Sequence, residues 1–265
     1  MLGLRPACAG LDPTYSSPAM SRYDFKAQRL FVEADLTEGG TVACTPAQSN
    51  YLRNVLRLKP GDAILVFNGR DGEWRAELTE AGRRGTSLLV RAKVRPQEGG
   101  PDIDYLFAPL KRARLDYMVE KATEMGAARL RPVLTRRTVG ERVNVERMHA
   151  HAIEAAEQCG ILRLPETRAP EKLERVVAGW DAARPMVFCD EDSAEHCPFT
   201  ALARIRPGPI AVLVGPEGGF DPAERELLSS QPFVTRISLG PRILRADTAA
   251  VAALALVNAV LGDWR

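Results

Sequence analysis

The sequence of 265 residues has few of the residues from which proteins build covalent cross-links or metal clusters. It contains five cysteines, an odd number, and none of them stands in a CxxC pair. This pattern argues against a disulfide framework and a structural zinc cluster, so we expect a reducing compartment. His196 lies beside Cys197, but two ligands without partners at a suitable spacing do not make a site, and we predict no metal.

Long apolar segments are also absent. The longest runs from residue 249 to residue 261 and falls well short of the ~20 residues that a membrane-spanning helix needs. Residues 1–20 carry one arginine and no apolar core, so they do not resemble a secretory signal peptide. We therefore predict a cytoplasmic protein without membrane contact, and we interpret residues 249–261 as a buried helix.

The net charge and the aromatic content are both low. A net charge of +2 gives no strong signal for nucleic-acid binding by the molecule as a whole. Aromatic residues make up 6% of the chain, so extensive stacking on nucleic-acid bases is not indicated. The basic residues are mostly arginines in clusters, and each cluster can be either an RNA contact or a solvated face.

Residues 26–95 are rich in short segments of β type. Turn-forming proline, glycine, asparagine and aspartate residues separate RLFVE, DAILVFNG, EWRAELTE and TSLLVRAKV. One helix, TPAQSNYLRNVLRL (residues 45–58), interrupts them, with Thr45 suited to the N-cap and Pro46 to the first helical position. Short strands with glycine turns and one helix predict a small β-barrel.

Residues 104–265 show a different pattern, in which strand-like and helix-like segments alternate. A linker rich in proline and glycine, residues 96–103, separates them from the β-rich region. Strands that alternate with helices of this length predict a parallel α/β sheet. At the other end of the chain, we interpret residues 1–25 as a disordered extension.

Two loops with a Gly-Pro pair follow predicted strands in this second region. The first is GPEGGF, residues 215–220, and it lacks both the Gly-Lys-Ser/Thr of a nucleotide P-loop and the GxGxxG spacing of a dinucleotide site. It offers backbone without side chains, which a flat ligand can approach closely. A tight turn between strand and helix that binds no ligand explains the same residues, and both interpretations remain open.

The second loop is LGPRILRAD, residues 239–247. Ligands of open α/β sheets bind outside the carboxyl ends of the strands, so two such loops after neighbouring strands favour a shared site. The second loop adds Arg242, Arg245 and Asp247 before a helix that is almost wholly apolar. Its arginines can contact an anion or a base, or they can be surface charges that cap neighbouring carbonyl groups.

LVGPEGGF followed by SLGPRILRADTAA resembles the RsmE family, whose members are SPOUT-class methyltransferases. They depend on S-adenosylmethionine and modify N3 of a uridine in 16S ribosomal RNA. The resemblance extends from about residue 28 to the end of the chain. YLRNVLRLKPGDAILVFNG is similar to the PUA-like RNA-binding barrel of the family, and EAAEQCG is similar to one of its middle segments.

The resemblance implies the fold and the partners as well as the reaction. It implies an α/β fold in which residues 104–265 form a SPOUT-type parallel sheet with a deep trefoil knot, and residues 26–95 form a PUA-like β-barrel that binds RNA. It further implies a homodimer that forms through the SPOUT domain and acts on 16S rRNA of the small ribosomal subunit.

By the same resemblance, the two loops hold S-adenosylmethionine. The residues implied to line its pocket are Val214, Gly215, Pro216, Glu217, Gly218, Gly219, Ile237, Leu239, Gly240 and Leu244. Two positions depart from the family pattern. Asp247 stands where many members have Glu, and Ile161 stands where an arginine often follows the EQxG segment, so Arg163 is a substitute for that arginine.

Methylation of uracil N3 requires a positioned donor, loss of the imide proton and stabilisation of the charge that develops on O2 and O4. Arg242 and Arg245 are our candidates for that stabilisation. Asp247 is a candidate base or an orienting group for an arginine, and its alternative role is the N-cap of the last helix.

The arginine clusters are the candidate RNA path. Arg53 and Arg57 are spaced to share one helix face. The full set of predicted RNA contacts is Arg53, Arg57, Lys111, Arg112, Arg114, Arg136, Arg137 and Arg163. Two alternatives to the leading function remain: another SPOUT enzyme that acts on tRNA or a ribose 2′-hydroxyl, and an RNA-binding assembly factor that has lost catalysis.

Overall fold

The computed structural model describes residues 27–79, 85–139, 142–193 and 197–264. The predicted extension at residues 1–25 and His196 lie outside these ranges. The strands are β1 Arg29–Phe31, β2 Thr41–Ala43, β3 Ala63–Phe67, β4 Glu73–Thr79, β5 Ser87–Arg95, β6 Ile103–Phe107, β7 Arg129–Leu134, β8 Glu166–Thr167, β9 Glu171–Lys172, β10 Met186–Cys189, β11 Ile210–Val214 and β12 Val234–Ile237. The helices are α1 Pro46–Asn50, α2 Arg112–Glu124, α3 Val145–Cys159, α4 Leu173–Ala178, α5 Pro198–Leu202, α6 Pro222–Ser229 and α7 Ala246–Val260, and a π-helical segment spans Tyr51–Val55.

The first sheet contains the β-rich segments in the order β1-β3-β4-β5-β2. Its inward side chains alternate along each strand, so that Ala76 and Leu78 of β4 are buried together with Leu88 and Val90 of β5. The predicted β-rich fold of this region is confirmed. Strand β2 was not predicted, because three residues with one buried side chain, Val42, carry too short a pattern.

The helical segment of this region begins as predicted and ends earlier. Thr45 caps α1 through a capping box with Gln48, and Pro46 occupies the first turn. The chain then widens into the π-helical segment, which Leu56 ends. Arg57 lies beyond the helix with a φ of 58°, a left-handed conformation that is unusual for a residue with a side chain. The prediction that Arg53 and Arg57 share one helix face is therefore wrong.

The second sheet confirms the predicted parallel α/β fold. Its order is β12-β10-β11-β6-β7-β8, with β9 paired to β7, and every pair is parallel. Successive residues of its strands face opposite sides, so Tyr105 and Leu106 of β6 belong to two different cores. Helices α2, α3, α5 and α7 cover one face, and α4 and α6 cover the other. The trefoil knot stays a prediction.

Helix α3 and the residues that follow it contact both sheets. Phe67 of the first sheet packs with Ala156 and Leu162, at and beyond the end of this helix. The backbone N–H of Phe31 donates to Glu157 Oε1 over 2.8 Å, and burial raises the pKa of that carboxyl group. The EQxG segment thus serves as a contact between the sheets, and the domain bounds predicted from the sequence stay predictions.

Helix α7 is the predicted buried helix, and Ala250, Ala253 and Leu254 are nearly inaccessible. Among the helices of the described residues, neither α7 nor any other combines the length and the apolar character needed to cross a membrane.

Replacing Arg57 with glycine tests the strain at the end of the π-helical segment. We expect the free energy of unfolding to rise by roughly 1 kcal/mol, because glycine has no Cβ to crowd the left-handed conformation. Urea denaturation followed by circular dichroism measures the change. Arg53→Gly is the control and should lower stability by roughly 1 kcal/mol, since glycine is unfavourable inside a helix. A loss of stability at both positions would contradict the prediction.

Candidate active site

A cavity of about 310 Å³ opens at the carboxyl ends of three neighbouring strands, β10, β11 and β12. This edge of a parallel sheet is where ligands of α/β proteins bind, because loops that follow adjacent strands meet there. The lining residues come from three loops and the start of α7: Cys189, Asp190, Glu191, Val214, Gly215, Pro216, Glu217, Gly218, Gly219, Phe220, Ser238, Leu239, Gly240, Arg242, Ile243, Leu244, Ala246 and Ala249.

Packing and backbone conformation favour glycine at two positions of the first glycine loop, residues 215–220. A Cβ at Gly215 would lie 2.3 Å from a ring carbon of Phe220, whose ring is buried and packs edge-on against Phe188. Gly219 has a φ of +67°, and a Cβ there would lie 2.8 Å from Glu191 Oε1. The loop therefore presents backbone at Gly215 because the Phe220 ring excludes a side chain, and at Gly219 because the left-handed conformation favours glycine.

The second loop forms the opposite wall. Gly240 has a φ of +104°, so the chain turns there in a conformation that favours glycine. Leu239 and Leu244 pack against the main core, whereas Ile243 between them is fully exposed. The wall thus combines bare backbone and aliphatic surface with the guanidinium of Arg242, which also lines the cavity.

The structure brings nine of the ten predicted donor-binding residues to the cavity. The tenth, Ile237, is buried at the end of β12 and is not among the lining residues. Sequence reasoning missed the third loop, which contributes Cys189, Asp190 and Glu191. A run of acidic residues directly after a strand was the available signal, but this loop carries none of the glycines that mark the other two.

The third loop supplies a buried, compensated carboxylate and a protonated thiol. Asp190 is 1% exposed and accepts from Arg236 Nε over 2.8 Å, while Arg225 lies 3.3 Å away. Burial, assisted by the charge of Asp190, raises the pKa of the Cys189 thiol to about 12. Because only the thiolate is a strong nucleophile, Cys189 does not act as one at neutral pH.

One of the three predicted catalytic residues lines the cavity, and the other two do not. Arg242 lines the cavity, whereas Arg245 and Asp247 follow it in the chain and do not. Arg245 occupies the N-cap position of α7 and is exposed. Asp247 is the second residue of α7, and its Oδ1 accepts from the backbone N–H of Thr248 over 2.8 Å. The alternative that Asp247 is the N-cap of the last helix is therefore wrong.

Three of the predicted RNA contacts are engaged with the first glycine loop and its helix. Arg114 forms an ion pair with Glu217. Arg136 pairs with Asp221 over 2.8 Å, and Arg137 Nη1 donates to the carbonyl of Gly218 over 2.9 Å. In this structure the guanidinium groups of these three arginines bind carboxylate or carbonyl groups of the protein itself.

The remaining predicted RNA contacts lie elsewhere. Lys111 and Arg112 are exposed at the start of α2, Arg53 is exposed in the π-helical segment, and Arg57 is exposed just beyond that segment. Arg163 is half-buried and donates to the carbonyl of Gly100, and burial lowers its pKa. Six of the eight predicted cations are therefore exposed, and two of these six, Arg136 and Arg137, bind groups of the first glycine loop and its helix.

Comparison with known proteins decides the family. A family profile described as an RNA methyltransferase domain matches residues 98–258, and one described as an RNA methyltransferase PUA domain matches residues 45–88. Ribosomal RNA small subunit methyltransferase E of Rickettsia conorii is 30% identical over 88% of this chain and 96% of its own. The chain belongs to the RsmE family of RNA methyltransferases.

A further relative and two solved structures extend the likeness. The RsmE protein of Synechocystis is 33% identical over 89% of this chain and 78% of its own. A Legionella pneumophila methyltransferase in complex with bound SAM is 26% identical, with a TM-score of 0.78 over 90% of this chain and 99% of its own. The RsmE structure of Neisseria gonorrhoeae is 24% identical, with a TM-score of 0.81 over 90% of this chain and 100% of its own, and it shares the fold.

Gly215→Ala tests the close approach that shapes the first glycine loop. We expect the free energy of unfolding to fall by about 1–3 kcal/mol, because a methyl group would displace the buried Phe220 ring. Thermal and urea denaturation measure the loss. Gly99→Ala is the matched control, since a Cβ there meets no atom within 4 Å, and its effect should stay within about 0.5 kcal/mol. Equal stability of the two variants would contradict the proposed packing.

Proposed function

We propose that this chain uses S-adenosylmethionine to methylate N3 of a uridine in 16S rRNA of the small ribosomal subunit. The observation that carries the proposal is the cavity built from two glycine loops at the carboxyl ends of β11 and β12, the strands on either side of β10. Support comes from the RsmE relatives that match most of the chain and from the SAM that the Legionella methyltransferase binds.

The cavity fits S-adenosylmethionine chemically. Bare backbone at Gly215 and Gly219 suits the flat face of an adenine, and Leu239 and Leu244 add apolar surface. Glu191 also lines the cavity, and its carboxylate accepts from Arg225 Nη2 over 2.8 Å, so its charge is already paired. When bound, S-adenosylmethionine supplies the methyl group, and the residues of the chain hold and orient both partners.

The second loop supplies the polar groups for the transfer. Arg242 lies at the cavity and Arg245 follows it on the same loop, so both can donate hydrogen bonds to the negative charge that spreads over uracil O2 and O4. Asp247 is the candidate acceptor of the N3 proton or the orienting group for one of these arginines. A fixed array of donors lowers the barrier because it needs no reorganisation during the reaction.

RNA binding is proposed for the exposed cations and the first sheet. We infer that residues 26–95 form the PUA-like RNA-binding domain, that residues 96–103 link it to a methyltransferase domain at 104–265, and that the protein acts in the cytoplasm. Arg53, Arg57, Lys111 and Arg112 are exposed and can reach phosphates. Binding through such contacts weakens as salt rises, because each releases counterions from the RNA.

A homodimer through the second sheet is supported by the outer surface of α7. From residue 248 to residue 260 this helix carries no charged residue. Six of its apolar residues are left half-exposed or exposed: Val251, Ala252, Ala255, Leu256, Ala259 and Val260. An uncharged helix with an open apolar face is typical of a surface that another chain covers.

Transfer of a radiolabelled methyl group from S-adenosylmethionine to small subunits or to 16S rRNA tests the function. We expect the wild-type protein to form N3-methyluridine, which nuclease digestion and mass spectrometry identify. Arg245→Ala should lower turnover about 100-fold, because it removes a donor to the developing anion, and should change the Kd for the methyl donor by less than about threefold. Arg206→Ala, exposed and outside both loops, is the matched control.

The outcomes separate the candidate functions. Methyl transfer to tRNA or to a ribose hydroxyl would show a different SPOUT enzyme. Calorimetry that detects no S-adenosylmethionine binding would favour an assembly factor without catalysis. Turnover unchanged in Arg245→Ala would remove that arginine from the mechanism.

Ala255→Arg tests the homodimer. We expect sedimentation velocity to show the mass of two chains for the wild type and of one chain for the variant, because a guanidinium buried in an apolar interface has no partner. Ala178→Arg is the control: it changes an exposed alanine of α4, on the opposite face of the sheet, and should leave the dimer intact. A wild-type protein that sediments as a single chain would refute the proposed dimer.

A further inference from the structure

The connection that follows β7 begins with a closed turn, residues 135–138, which we call the threonine turn. The N–H of Thr135 donates to Thr138 Oγ1 over 2.8 Å, and the N–H of Thr138 donates to the carbonyl of Thr135 over 3.1 Å. The two hydroxyl groups lie 2.9 Å apart. These bonds hold the turn in one conformation and fix the direction in which Arg136 and Arg137 leave it.

Arg137 lies against the outer side of the first glycine loop. Its Nη1 donates to the carbonyl of Gly218 over 2.9 Å. Its Cβ and Cδ lie 3.7 Å and 3.8 Å from the position that a Cβ of Gly218 would occupy, which is ordinary van der Waals contact. The methylene groups of Arg137 therefore pack against Gly218, while its guanidinium donates to the carbonyl group of the same residue.

Glu224 joins the same turn to the far end of the loop. This carboxylate is 2% exposed, and its two oxygens accept from two different segments. Oε1 accepts from the N–H of Arg136 over 2.8 Å, and Oε2 accepts from the N–H of Asp221 over 3.1 Å. A buried carboxylate that satisfies two backbone N–H groups is costly to remove, because each loses its partner away from water.

We propose that the threonine turn is a positioning element for the first glycine loop, with Arg137 and Glu224 as its positioning residues. Gly218 lines the cavity, so the hydrogen bond from Arg137 fixes a peptide that borders the ligand. A loop held in its binding conformation before the ligand arrives loses less conformational entropy on binding. The basic residues Arg136 and Arg137 thus serve donor binding, and the RNA path runs elsewhere.

The inference rests on the proposed function, because the ligand used to test it is S-adenosylmethionine. In Arg137→Ala we expect the Kd for S-adenosylmethionine, measured by calorimetry, to rise about tenfold. The KM for the donor should rise by a similar factor, while kcat at saturating donor stays within about twofold. The affinity for 16S rRNA and its dependence on salt should not change, because no phosphate contact is lost.

Two further variants separate positioning from a general loss of structure. Arg137→Lys keeps a stem and one donor and should restore part of the donor affinity. Glu224→Gln replaces one acceptor oxygen by an NH₂ group and should weaken donor binding at least as much as Arg137→Ala does, with thermal denaturation as the check on folding. Arg142→Ala is the matched control, an exposed arginine of the same connection that should leave donor binding unchanged.

The competing role predicts the opposite pattern. If Arg137 contacts RNA, Arg137→Ala would leave donor binding intact and reduce the slope of log affinity against log salt by about one, which would overturn the inference. Donor and RNA affinities that both stay unchanged would overturn it too. Absence of donor binding by the wild-type protein would instead refute the proposed function and, with it, the inference.

Discussion

At Gly215, in the corner after β11, there is room for backbone only, and the cavity wall depends on that constraint. Phe220 fills the core directly behind Gly215, and the carboxylate of Glu191 lies where a side chain of Gly219 would be. The ring of Phe220 also packs edge-on against Phe188 of β10, so the cavity wall and the core of the sheet form one packed unit. Because close-packed protein cores resist repacking, the wall keeps its shape as long as the sheet stays folded.

Paired charges complete this wall. The buried Asp190 is compensated by Arg236 and Arg225, and Glu217 at the rim is compensated by Arg114 from the start of α2. Each pairing is made between segments that are far apart in the chain. Because these carboxylates are already paired and oriented, they need little reorganisation when a charged ligand enters.

The elements predicted well from the sequence are those whose signal is local. The N-cap at Thr45, the proline in the first turn of α1 and the apolar run of α7 all reflect interactions within a few residues. The missed strands β2, β8 and β9 have two or three residues each, and they exist because β5 and β7 offer edges to pair with. Arg57 shows the same limit, since its left-handed conformation depends on where the helix ends.

The candidate site shows the same difference between features set by adjacent residues and contacts made only by the fold. The glycine loops and the type of chemistry could be predicted from the sequence alone, because bare backbone next to a strand end is a property of adjacent residues and because the two loops resemble a known family. The partners of the arginines could not be predicted. A guanidinium on a long, flexible side chain binds whichever acceptor the fold brings near, and here the fold brings Gly218 to Arg137 and Glu217 to Arg114 across more than eighty residues. Residue type sets what a side chain is able to bind, whereas packing of the sheet against its loops sets what it meets.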